Sequence, residues 1–71
     1  MRTLDVKGST SVTEAKYDAS SERLYIGWNT GKRGYYPAVP AAIVRQIESE
    51  ASFGSAVSTH LKKKGFEFIY Q

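Results

Sequence analysis

Arg23–Pro40 reads RLYIGWNTGKRGYYPAVP. Leu24, Ile26 and Trp28 alternate with Arg23, Tyr25, Gly27 and Asn29, the period-two pattern of a half-buried strand. Thr30-Gly31-Lys32 then supplies a hairpin turn, in which Gly31 is free to take a positive φ. Arg33–Tyr36 reads as the returning strand. Pro37 has no N–H to give to a ladder, so this strand ends there or lies on an edge. Val39-Pro40 opens a helix, because the first turn has no use for the N–H that proline lacks.

The flanks extend the pattern on both sides. Val12–Tyr17 (VTEAKY) is a first strand whose apolar positions, Val12, Ala15 and Tyr17, break strict alternation, which leaves room for a bulge. DASSE, rich in turn formers, separates it from Arg23. Residues 1–10 (MRTLDVKGST) are polar apart from Leu4, Val6 and the first Met, and are expected to be a flexible tail or a short edge segment. After Pro40, Ile43, Val44, Ile47 and Ala51 form one helical stripe, with Arg45, Glu48 and Glu50 off it. Ser52-Phe53-Gly54-Ser55 interrupts the stripe. A second short helix follows with Val57 and Leu61 on one face, and Ser52 or Ser55 is its N-cap candidate. Lys62, Lys63 and Lys64 fall in its last turn, where the helix dipole favours cations. Gly65 is its stop. The tail GFEFIYQ alternates again, with Phe66, Phe68 and Tyr70 on one side and Glu67 and Ile69 on the other.

The order is β-β-β-α-α-β. It predicts an α+β fold: a three-stranded antiparallel meander followed by two short helices and a C-terminal strand, with the helices on one face of the sheet. Residues 11–71 make the single domain. Its expected core is Val12, Tyr17, Leu24, Ile26, Trp28, Tyr36, Val39, Ile43, Ile47, Val57 and Leu61, with Phe66 or Phe68.

Composition narrows the function. Seventy-one residues give one small core and little room for an enclosed active site. The chain has no cysteine, which excludes disulfides, thiol catalysis and thiolate zinc sites. The N-terminal residues hold no apolar run of the secretory kind, and no stretch nears the ~18 apolar residues that would cross a bilayer. A cytoplasmic monomer with no membrane partner is expected. Ten Lys and Arg against seven Asp and Glu leave a net charge of +3, which permits an anionic partner without demanding one.

No catalytic constellation emerges. His60 is the only imidazole, and Ser58, two residues away on the same helix, points elsewhere. Glu48 and Glu50 are likewise two apart. GKRG lacks the length and the Ser/Thr of a phosphate loop. The expected protein is not an enzyme, and no metal or cofactor is implied. The binding candidates are basic and aromatic. Arg23, Tyr25, Arg33 and Tyr35 lie on the polar side of the second and third strands, Lys32 sits at the turn, and Lys62, Lys63 and Lys64 form a second cluster. Rings that stack bases and cations that pair phosphates are what single-stranded RNA needs. The same residues also suit a protein partner, or simply a solvated sheet face.

The ordered set resembles the KTSC domain, a small module named for the C-terminus of some lysyl-tRNA synthetases and also found alone in bacteria and phages. Ser11-Val12, Tyr17-Asp18, Leu24-x-Ile26-x-Trp28, Gly31, Val39-Pro40, Ser52-x-Gly54 and Leu61 stand in that family's order. Tyr36 takes the second place of its Y-x-Y motif, while Gly34 stands at the first and Tyr35 is an extra tyrosine. Val57 replaces a frequent aromatic, and the C-terminal tail is more elaborate than usual. The resemblance implies the fold and a setting in nucleic-acid machinery, with no established general activity. Under it, the chain is expected to be a non-catalytic binding module for RNA, or for a protein of the transcription or translation machinery. A phage-type regulator of host RNA polymerase is the alternative.

Overall fold

The structure, a computed structural model, describes residues 1–71. Five antiparallel strands stand side by side in chain order: β1 (Arg2–Thr3), β2 (Val12–Asp18), β3 (Arg23–Trp28), β4 (Arg33–Tyr36) and β5 (Ile69–Tyr70). Between β4 and β5 lie α1 (Ala41–Glu48) and α2 (Phe53–Val57), and α2 runs on into a single π-helical turn, Ser58–Lys62. The fold is α+β, and the expected three-stranded meander is joined at one edge by the C-terminal strand and at the other by the N-terminal edge segment.

Both helices cover one face of the sheet. The core joins Val12, Ala15, Tyr17, Leu24, Ile26 and Tyr36 from the strands to Val44, Ile47, Phe53, Ala56, Val57 and Leu61 from the helices. Three apolar residues of β2 reach this core because the register slips by one between Val12, opposite Trp28, and Glu14, opposite Gly27. The bulge turns Val12, Ala15 and Tyr17 inward together. It leaves Glu14, Lys16 and Asp18 at alternate positions on the far face.

The N-terminal residues form a short edge segment, the second of the two expectations for them, rather than a flexible tail. β1 pairs with β2, the Leu4 N–H donates to the Ala15 carbonyl at 2.9 Å, and the Leu4 side chain is buried. The Phe53 N–H donates to the Lys7 carbonyl at 3.0 Å. Gly8, at φ +66°, passes so close to the Ala51 carbonyl that a Cβ would not fit. Arg2 grips Glu48 of α1 through two hydrogen bonds, 2.9 and 3.1 Å. An apolar Leu4 and a free edge on β2 draw ten largely polar residues onto the domain.

Other expectations shift with the packing. α1 ends at Glu48, so Ala51 lies beyond it and is exposed, and Val44 rather than Ile43 is its fully buried partner to Ile47. Phe53 is buried at the first turn of α2 instead of marking a break. Ser52 is the cap, its hydroxyl accepting from the Ser55 N–H at 3.3 Å. Trp28, Ile43, Phe66 and Phe68 are only half-buried against the core. Gly65, at φ +82°, ends the helical run. The tail's alternation holds, but only Ile69 and Tyr70 pair, with Tyr35 and Gly34 of β4.

Candidate functional site

The sheet face away from the helices is open. The pairing register places Thr3, Lys16, Tyr25, Tyr35 and Ile69 in one row across all five strands. Asp18 and Arg23 flank this row on one side, and Glu14, Gly27 and Arg33 on the other. Strand alternation puts all of them on the same surface.

The two tyrosines are directly opposed neighbours on adjacent strands, and their rings meet at 5.4 Å between centroids, tilted by 44°. The Arg23 guanidinium lies 4.7 Å from the Tyr35 ring centroid, within cation–π range. Tyr25 first, and then Tyr35, holds that guanidinium further toward its charged form. Arg33 reaches across Gly27 to pair with Glu14. A Cβ at position 27 would come within 2.9 Å of the Glu14 side chain, so glycine there lets the pair close over the strand. Asp18 has its pKa lowered by the Ser20 hydroxyl, which donates to it at 2.7 Å, and by the Ser20 N–H at 3.1 Å. The result is an apolar aromatic strip, ending in the exposed Ile69, set between cations and carboxylates of both signs.

The eight residues singled out in the sequence do not form one site. Arg23, Tyr25, Arg33 and Tyr35 share the open face. Lys32, the immediate neighbour of Arg33, turns to the helix side, where its Nζ stands 5.6 Å from the Tyr70 ring centroid. Lys62, on the π-helical turn, lines the same cavity as Lys32. Lys63 and Lys64 are exposed at the end of the helical run and line neither surface. Lys16, Glu14, Asp18 and Ile69 complete the open face and were not anticipated there. The first three fall there because Val12, Ala15 and Tyr17 turn inward. Ile69 was visible as the position opposite Phe68 and Tyr70, but its strand partner was not.

His60 is mostly buried, with 18 % of its side chain exposed, and pairs through Nε2 with Glu50. No group of three or more His, Asp or Glu side chains converges in metal-binding fashion. No helix is long and apolar enough to cross a membrane.

A family model described as the KTSC domain matches residues 8–66. The match takes in most of the chain, and the chain belongs to the KTSC domain family. No curated protein matches it.

Proposed function

We propose that this KTSC domain is a non-catalytic binding module that docks a protein of the transcription or translation machinery on its open sheet face. The Tyr25–Tyr35–Arg23 stack carries this reading. Sequence-tolerant binding of single strands needs ring faces free for bases. Here the two tyrosine rings lean on each other, and Arg23 covers Tyr35. A phosphate backbone also prefers a surface of one sign, whereas Glu14 and Asp18 interrupt the cations of this one. Tyrosine and arginine around an apolar centre, ringed by charges of both signs, match the centre and rim of a protein interface. The nucleic-acid setting is what the family resemblance implies, and bacterial RNA polymerase is the first partner to test.

The test is binding of the whole chain to purified RNA polymerase, compared with Tyr25→Ala and Tyr35→Ala. A central interface tyrosine contributes about 2 kcal/mol, so each variant is expected to bind about thirtyfold more weakly while its thermal unfolding stays cooperative. Binding that is unaffected by either substitution would reject the face. Affinity for naked single-stranded RNA that falls steeply with salt and needs Tyr25 would replace the protein by RNA as the ligand.

A further inference from the structure

The helices leave one part of the inner sheet face uncovered, near the β4–β5 edge. A groove of about 450 Å³ opens there, between the ends of β3 to β5, α2 and the C-terminal segment. That is the size range of pockets that enclose small molecules. Its wall is aromatic. Phe68 stands edge-on to Trp28, Tyr36 and Tyr70, with centroid distances of 6.2, 4.8 and 4.9 Å. All three contacts are T-shaped, and Tyr70 is 65 % exposed, with the Lys32 Nζ 5.6 Å from its ring centroid.

Three further observations point to an occupant. Lys32 and Lys62 both line the groove, and neither takes part in any of the molecule's ion pairs. No carboxylate lines it. Tyr36, only 4 % exposed, makes no hydrogen bond through its hydroxyl, yet no buried side-chain polar atom lacks a partner. The hydroxyl therefore retains access to solvent, and this groove is the only cavity that Tyr36 lines. Tyr36 is thus a largely buried tyrosine whose hydroxyl, without a protein partner, keeps access to solvent in an aromatic, cationic groove.

We propose that this groove binds a single nucleotide. Its base lies against the Trp28–Phe68–Tyr70 wall and takes a hydrogen bond from or to the Tyr36 hydroxyl. Its phosphate sits between Lys32 and Lys62. Each feature removes a simpler occupant. Inorganic phosphate would make no use of the aromatic wall, and an apolar side chain would make no use of two lysines outside any ion pair or of a hydroxyl without a protein partner. The groove lies on the opposite side of the sheet from the Tyr25–Tyr35 strip, so this site stands or falls independently of the protein-docking face.

Trp28 is the only tryptophan in the chain and forms part of the wall. Its fluorescence, excited on the red edge clear of nucleotide absorption, and its indole N–H signal in NMR both report on the groove. The whole protein is titrated with adenosine monophosphate, with adenosine, with inorganic phosphate and with a five-residue oligoadenylate. The monophosphate is expected to give a saturable change with Kd no weaker than about 1 mM. The double variant Lys32→Ala/Lys62→Ala is expected to bind at least about tenfold more weakly, since two charge-assisted contacts are lost. Tyr36→Phe, which keeps the packed ring, is expected to weaken the monophosphate and leave inorganic phosphate unchanged. Tighter binding of the oligoadenylate, with the same lysine dependence, would identify the nucleotide as a residue of a strand; tighter binding of the monophosphate would identify it as a free ligand. No response in either signal would overturn the proposal. So would an equal response to phosphate alone, or affinity indifferent to both variants.

Discussion

Two buried tyrosines show how much a single hydroxyl matters. The Tyr17 hydroxyl donates to the Val39 carbonyl at 2.6 Å, tying β2 to the chain just before α1. Tyr36 is as deeply buried but bonds to nothing in the protein. Tyr17→Phe strands a buried carbonyl and is expected to cost about 1–3 kcal/mol, lowering Tm by several degrees. Tyr36→Phe gives up no protein hydrogen bond and is expected to change stability by less than about 0.5 kcal/mol. Denaturant unfolding of the two variants checks the contrast, and equal costs would contradict it. Burial, and then Tyr70, raises the pKa of Tyr36. A raised phenol pKa favours the fold while the unfolded tyrosine stays neutral. That contribution is complete below the unfolded pKa of about 10 and is lost as pH rises through the folded value. Tyr36→Phe is therefore expected to flatten part of the alkaline loss of stability seen in the parent.

Among the elements, the N-terminal segment departs most from its sequence. Its residues are polar enough to read as a tail, and only the long-range partners Ala15, Glu48 and Phe53 make it part of the domain. Deleting residues 1–6 exposes the β2 edge and removes the buried Leu4 side chain, worth about 1.5–3 kcal/mol. The shortened chain is expected to melt well below the full one, where a true tail would have no effect. The Arg2 hydrogen bond lowers the pKa of Glu48, followed by the Arg2 charge. A depressed carboxyl pKa contributes stability above the unfolded value of about 4.3, and that contribution is lost as pH falls through the folded value. The protection factor of the Leu4 amide, its exchange relative to an unstructured peptide at the same pH, is expected to fall in that acid window ahead of those in β3. A Leu4 protection factor that does not respond to acid would contradict the anchoring role of the pair.

Across the molecule, the strands and helices were legible because their apolar periods are local. Leu24, Ile26 and Trp28 announce β3, and Val44 and Ile47 announce α1, without reference to anything distant. The β2 bulge also showed locally, in the broken alternation of Val12, Ala15 and Tyr17; the burial of Phe53 and the pairing of Ile69 with Tyr35 depend on contacts between segments far apart in the chain, and no window of sequence contains them. The candidate binding face was half legible. Arg23, Tyr25, Arg33 and Tyr35 fall together by strand alternation, and they are together in the fold. Lys32 belongs to the turn before β4, outside that alternation, and the fold turns it to the helix side. A run of basic residues in sequence thus became two surfaces: an open face of mixed charge, and an aromatic groove with two unpaired lysines.

On the proposed reading, the open face, with its closed tyrosine–arginine stack, docks a protein. Nitrogen–proton NMR of the labelled chain, titrated in parallel with purified RNA polymerase and with a short single-stranded RNA at low salt, tests it most directly. The expected result is broadening with the polymerase that begins at Lys16, Arg23, Tyr25, Tyr35 and Ile69, and no shift of those amides with RNA. RNA-induced shifts on that row, reversed by salt, or silence of the row with both ligands, would contradict it.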